Sequence, residues 1–272
     1  MTRQALLVTC EHGGNRIPPG YRSRFRRSRR LLASHRGYDP GASTMAKALA
    51  LRLGGTLVVA TVSRLLVDLN RSLGHPQVFS EITRNLPAAV RTAIVERHYL
   101  PHRREIEHQV ECAVAQGQRV VHIAAHSFTP ELDSRVRRAD VGLLYDPARE
   151  SEVALCAGWK AAILARDPSL TVRRNYPYAG KADGLTKHLR RRFPVDAYVG
   201  IELEINQRIV FAAGRRFATV RETLGEALRV ACRAGTCALA SAGNRDAGGS
   251  GTSVGAMHAA RSLPRRMEKG DR

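Results

Sequence analysis

Apolar runs of strand length alternate along this chain with longer amphipathic stretches, and the strand runs repeatedly end in charged or imidazole-bearing residues. Gln4 to Cys10 runs into Glu11-His12-Gly13-Gly14, the pattern of a buried strand followed by a tight glycine turn. Gly41 to Leu53 reads as a helix closed by Gly54-Gly55. Thr56 to Val62 and Leu65 to Leu69 read as strand segments, the second containing Asp68 and leading into Asn70-Arg71. Ala88 to Gln116 has the length of a long helix and is expected to break at Pro101, whose ring nitrogen cannot donate the helical hydrogen bond. Val120 to Ala125 is a strand that delivers His126-Ser127, and Val141 to Tyr145 is another. Glu150 to Ala165 and Leu185 to Phe193 read as helices, Tyr198 to Asn206 as a strand, and Arg216 to Ala234 as an amphipathic helix. Such alternation predicts an α/β fold, a sheet with helices on both faces. One domain accounts for residues 1–240, with its regular elements between about Ala5 and Gly235. Residues 241–272 turn to Gly, Ala and Ser and are expected to be a disordered tail, because they offer too little apolar surface to offset their ordering entropy.

Composition excludes several classes. With 43% hydrophobic and 25% charged residues over 272 positions, the chain has the balance of a folded globular protein. No apolar run reaches the about 18 residues of a membrane-spanning helix, and the N-terminus lacks a signal-peptide pattern, so a cytoplasmic protein without membrane attachment is expected. The five cysteines, Cys10, Cys112, Cys156, Cys232 and Cys237, form no C-x-x-C pair and indicate neither a disulfide framework nor a thiolate zinc site. Lys plus Arg number 44 against 24 Asp plus Glu, a net charge of +20, and only five of the 44 are lysine. Seven arginines crowd Arg22 to Arg36 without an acid, and Lys187 to Arg192 is a second basic run. Such clusters can bind phosphate backbones. Here they are not interleaved with aromatics and no nucleic-acid motif accompanies them, so the favoured reading is a solvated basic surface that steers a small acidic substrate toward a cleft.

Ligands of parallel α/β sheets bind outside the carboxyl ends of the strands. Glu11, His12, Asp68, Asn70, Arg71, His126, Glu202 and Glu204 fall there, with Asp39 in a loop before a helix. Two histidines and a carboxylate from different strands can form the open three-ligand site of a catalytic zinc. Glu202 then stands as the general base, and Arg71, helped by Asn70, can pair with a substrate carboxylate. Asp68 reads as the group that orients Arg71. Glu202 and Glu204 share one strand face and would equally serve to neutralise nearby arginines. His35, His75 and His122 read as structural.

The ordered motifs Cys10 to Pro18, Gly37 to Ala42, Val67 to Arg71, Ala125 to Phe128, Asn175 to Tyr178 and Gly200 to Gln207 resemble those of the N-formylglutamate amidohydrolases, over about Leu6 to Glu226. That resemblance implies a single-domain, mixed and mostly parallel sheet between helices, of the phosphorylase/hydrolase-like or zinc-exopeptidase-like type shared with aspartoacylases and zinc carboxypeptidases. It implies hydrolysis of N-formyl-L-glutamate to formate and glutamate in histidine degradation, with zinc or another divalent metal as cofactor. By the same pattern His12 and His126 match metal ligands, Asn70 and Arg71 substrate binders, and Glu202 the catalytic carboxylate; Asp68 and Glu204 are read from their positions as supporting residues. The wider relatives carry a metal-binding Glu three residues after the first histidine, where this chain has Asn15, so either Asp39 or Glu11 is recruited as the third ligand or the metal dependence differs. Alternatives are an amidohydrolase of another N-acyl amino acid or peptide-like amide, and a non-catalytic basic nucleic-acid-binding module.

Overall fold

A computed structural model describes residues 3–234. The expected tail at 241–272 and Cys237 lie outside the described residues. Among the described residues the eight strands are β1 Gln4–Cys10, β2 Thr56–Val59, β3 Arg119–Phe128, β4 Glu131–Leu132, β5 Arg135–Val136, β6 Val141–Leu144, β7 Val172–Arg174 and β8 Tyr198–Asn206. Six form one sheet in the order β2-β1-β3-β8-β6-β7, and β4 with β5 makes a small hairpin. Neighbours from β2 to β8 are parallel, β6 runs antiparallel to β8, and β7 is parallel to β6, so the sheet is mixed and mostly parallel.

The α-helices are α1 Arg29–Ala33, α2 Ala42–Leu53, α3 Ala88–Ile94, α4 Leu100–Ala115, α5 Glu150–Arg166, α6 Leu185–Arg192, α7 Gln207–Val210 and α8 Arg216–Ala234. The two-residue strand period sorts them onto two faces. Val121, Ile123 and Ala125 of β3 and Ile201, Leu203 and Ile205 of β8 pack with residues of α2, α5 and α8, among them Met45, Trp159 and Leu224. The opposite parity, Leu7, Val120 and Tyr198, packs with Ile106 and Val110 of α4 and Leu189 of α6. His122, His126, Glu202 and Glu204 share that second parity, so their side chains project on the α4 and α6 side.

Three expectations are corrected. Leu65 to Leu69 is not a strand but a turn, and the preceding strand ends at Val59 rather than Val62. Its apolar residues are buried in a separate cluster with Phe25, Val78, Ile94 and Tyr99. Side chains satisfy its carbonyls: Ser80 Oγ donates to Leu65 O at 2.5 Å and Thr83 Oγ1 to Leu66 O at 3.1 Å. The helical stretch from Ala88 does not break at Pro101. A π turn over Val95–Tyr99 precedes α4, and Pro101 sits in the first turn of α4, where a missing N–H and the ring are accommodated. The turns around Pro19–Phe25, the short helices α1 and α7, the hairpin and β7 were not anticipated.

Candidate active site

Where β1 ends, Glu11 and His12 follow at once; β3 supplies His126 and β8 supplies Glu202 and Glu204. The Asp39 N–H donates to the His12 carbonyl at 2.9 Å, fastening the loop before α2 to the end of β1. Gly13 and Gly14, the glycines of the turn after β1, lie against the chain after β2. A Cβ would stand 2.8 Å from Ala60 O at Gly13 and 2.7 Å from Thr61 O at Gly14. Their smallness lets the strand-end loops close, which fixes His12.

His12, Asp39 and His126 are buried together, and a ligand atom can be chosen from each so that all lie within 4.8 Å of one another. Asp39 Oδ2 lies 3.3 Å from His12 Nδ1 and 2.9 Å from His126 Nδ1. The far nitrogens meet two other carboxylates. His12 Nε2 donates to Asp68 Oδ1 at 2.7 Å, and His126 Nε2 is 3.1 Å from Glu11 Oε2. Each imidazole is thus held at Nε2 by one carboxylate and turned with Nδ1 toward Asp39, the arrangement that fixes tautomer and ring direction in metal-binding histidines.

The electrostatics of the cluster favour a cation. Burial pushes the Asp39, Asp68 and Glu11 carboxyls up, but their partners outweigh it: His12 and His126 for Asp39, Arg64 and His12 for Asp68, His102 and His126 for Glu11. All three are held below the ordinary carboxylate range and stay ionised. Burial lowers His126, and the bonds to Asp39 and Glu11 raise it well above the usual imidazole range. The anionic Asp39 Oδ2 between the two Nδ1 atoms is satisfied by protons on those nitrogens or by a cation among the three atoms in their place, so this donor set fits a divalent metal.

Of the two candidates for a third ligand, Asp39 faces both Nδ1 atoms, whereas Glu11 lies on the Nε2 side of His126, with Oε2 3.1 Å from that nitrogen. Asp68 does not orient Arg71 through its side chain. It accepts from Arg64 Nη2 at 2.7 Å, from Arg64 Nε at 3.2 Å and from the Asn70 N–H at 2.9 Å. Arg71 is held instead by Nη1 donating to Asp183 O at 2.9 Å, and Asp183 is tied to Ser72. Asn70 Oδ1 accepts from the Leu185 N–H at 2.7 Å, at the start of α6, and its Nδ2 is 3.5 Å from His126 Nε2. On the same first turn of α6, Thr186 Oγ1 donates to Glu202 Oε1 at 2.7 Å. Gly184 lies between them: a Cβ there would come 3.1 Å from Asn70 Oδ1 and 3.4 Å from Glu202 Oε1. Glu204 is buried with Oε2 unpartnered, and burial first, then the charges of Asp39 and Glu202, push its carboxyl up to about 8 against the opposing pull of His126. It is a neutral acid at pH 7.

Arg64, His102 and Thr186 were not singled out from the sequence. His102 on α4 places Nε2 3.9 Å from Glu11 Oε1. An Arg64–Asp68 pair four residues apart was a legible signal for the first, and nothing local marks the other two. His122 is structural in its contacts, bonded at Nε2 to Thr9 Oγ1 at 2.8 Å and at Nδ1 to Tyr198 Oη at 2.6 Å. Asn175 Oδ1 accepts from the Tyr145 and Gly180 N–H groups, and Tyr178 from the same motif lines the cleft above Asp39 and Asp68. The cleft has a volume of about 730 Å³.

By fold and by the polar cluster at its strand ends, the chain falls in the class of α/β enzymes that bind small molecules at the carboxyl edge of the sheet. The family model for N-formylglutamate amidohydrolase matches residues 4–211. Among solved structures, a gene product from Agrobacterium tumefaciens is 32% identical with a TM-score of 0.70, the match covering 84% of this chain and 91% of that one. The N-formylglutamate amidohydrolase from Ralstonia eutropha is similar in fold, with a TM-score of 0.60 at 22% identity over 85% of this chain and 94% of that one. A search of curated protein sequences found no match. The chain belongs to the N-formylglutamate amidohydrolase family and is an amidohydrolase acting on an amide bond.

Proposed function

We propose that this enzyme hydrolyses N-formyl-L-glutamate to formate and L-glutamate, with a divalent metal such as zinc, as a cytoplasmic step of histidine degradation. The observation that carries the reading is the pair of imidazoles, each held at Nε2 by a carboxylate and turned with Nδ1 toward the shared Asp39. His12, His126 and Asp39 would hold the metal, with Glu11 and Asp68 behind the histidines. A divalent ion bound there supplies Lewis acidity, acidifying water and polarising the substrate carbonyl.

The chain's own groups do the rest. Glu202, with Oε1 occupied by Thr186, takes the proton of the attacking water and passes it to the leaving nitrogen, so that the formyl C–N bond breaks to formate and a free amine. Asn70, fixed through the Leu185 N–H, and Arg71, fixed through Asp183 O, bind the substrate carboxylate. Glu204, neutral and buried on the same strand face as Glu202, adds no charge that would compete with Glu202. The basic cleft rim favours approach of an acidic substrate.

A second reading, hydrolysis of another N-acyl amino acid or a peptide-like amide, draws support from the size of the cleft. A panel of formyl, acetyl and longer acyl groups on glutamate and aspartate separates the two. Highest kcat/KM on N-formyl-L-glutamate supports the first reading, and a longer acyl group preferred by about tenfold or more supports the second.

A further inference from the structure

We propose that the cleft accepts an N-acylated acidic peptide of two residues or more, with the second acidic group bound by Arg84 at the rim. This rests on the reading above, in which the cleft cleaves the amide of an N-acyl amino acid; the bond cleaved is the same, and the products become formate and the free acidic peptide.

The cleft has two levels. Its floor is already committed: buried Asp39 faces the histidines, and the half-buried Arg64 is spent on Asp68 and, at 3.6 Å, on Asp39. Its rim is exposed and holds His35, Arg36, Gln77, Glu81 and Arg84. N-formylglutamate has about a dozen non-hydrogen atoms, whereas volumes of about 300–1,000 Å³ enclose drug-sized ligands, so 730 Å³ leaves room beyond the floor for a second unit.

The charge of the rim selects what that unit is. Arg36 is consumed by Glu81, with Nη2 at 2.7 and 2.8 Å from the two carboxylate oxygens. Arg84 has no side-chain hydrogen-bond or ion-pair partner among the described residues, which leaves an unpaired guanidinium on the cleft wall. It is not a loose surface arginine. Its backbone N–H donates to Ser80 O at 2.8 Å, its carbonyl accepts from Arg91 Nη1 at 2.7 Å, and Ser80 and Thr83 are bonded to the carbonyls of Leu65 and Leu66. Arg84 therefore rides on the same loop body that carries Arg64 and Asp68. Phe79 and Pro76 supply apolar wall beside it. In sequence just before His35 and Arg36 lie Arg24, Arg26, Arg27, Arg29 and Arg30, outside the cleft lining and without ion-pair partners among the described residues, and a field of that sign attracts an oligoanion more strongly than a single amino acid.

The test compares kcat/KM of the full chain for N-formyl-L-glutamate, N-formyl-L-glutamyl-L-glutamate and N-formyl-L-glutamyl-L-glutamine amide, the last matching the second in size without its far charges. The expected result is a preference of about tenfold for the diglutamate over the amide, with Arg84→Ala reducing diglutamate turnover about fivefold more than it reduces N-formyl-L-glutamate turnover. Equal rates for diglutamate and amide would overturn the proposal. So would hydrolysis of N-formyl-L-glutamate with neither dipeptide cleaved, or an equal effect of Arg84→Ala on both acids, and these results leave the reading of the floor intact. Failure to hydrolyse any of the three would reject both.

Discussion

Replacing Glu152 with glutamine should unlock the helix that positions Glu202, the proposed proton carrier. Glu152, on α5, is fully buried, and Arg190, on α6, is only 5% exposed at its side chain. Arg190 Nε donates to Glu152 Oε1 at 2.9 Å, while Nη1 and Nη2 donate to Gly180 O at 2.6 Å and Gly200 O at 2.8 Å. The Gly200 and Asp146 N–H groups also donate to the two Glu152 oxygens. In Glu152→Gln one end of the side chain becomes a donor facing donors, and the guanidinium loses its counter-charge where water cannot replace it. Breaking a buried pair from one side costs about 3–5 kcal/mol, a large part of the roughly 5–15 kcal/mol that holds a domain together. At about 2–4 °C per kcal/mol for a domain of this size, the melting temperature should fall by roughly 6 to 20 °C. The same change should lower kcat, since α6 presents the Leu185 N–H to Asn70 and the Thr186 hydroxyl to Glu202. Urea titration and scanning calorimetry measure the first effect, formate release the second. The double variant Glu152→Gln/Arg190→Met should recover more than half of the lost stability, because both charges leave together. A loss under about 1 kcal/mol in the single variant, or no recovery in the double, would show that the Glu152–Arg190 pair does not hold α6 in place.

Glu202→Gln should lower kcat by about 10²–10⁴ with KM little changed, and near wild-type turnover would remove Glu202 as the proton carrier. Asp68→Asn leaves the His12 ring without its anionic Nε2 partner and should weaken metal affinity about 10- to 100-fold by chelator competition, with a folded circular dichroism spectrum; unchanged affinity would detach Asp68 from the metal site. His122 carries a pH prediction. Burial drops its pKa from 6.5 to about 4, so it stays neutral in the fold while the unfolded chain takes up a proton first as the pH falls. Its contribution is present above pH 6.5 and is lost on acidification toward pH 4, by about 3 kcal/mol in all. Urea midpoints for His122→Gln should therefore fall less steeply than wild type across that window, and parallel curves would contradict the assignment.

Much of this site was legible because each contributing strand is an uninterrupted apolar run with its polar residue at the end. His12, His126 and Glu202 could be placed at the sheet's carboxyl edge for that reason, and the two-residue period put Glu202 and Glu204 on one face. What escaped depends on contacts between distant segments. Leu65 to Leu69 has the composition of a strand, but its carbonyls are taken by Ser80 and Thr83, so it packs as a buried turn and turns Asp68 to His12 instead of Arg71. His102 reaches Glu11 only because α4 lies over the end of β1, and the periodicity of a helix does not say which strand end it covers. The Pro101 error has a local cause: the first turn of a helix tolerates proline, and the π turn before it supplied such a start.

Metal-dependent deformylation by this cluster can be read out in one assay. The most direct measurement is formate release from N-formyl-L-glutamate by the purified chain, as isolated, after chelator stripping verified by elemental analysis, and after resupply of zinc. The expected result is formate production lost on stripping and restored with near-stoichiometric zinc, and neither metal retention nor restoration in His126→Ala. Full activity in chain shown to be free of metal, or no formate from chain shown to be loaded, would contradict it.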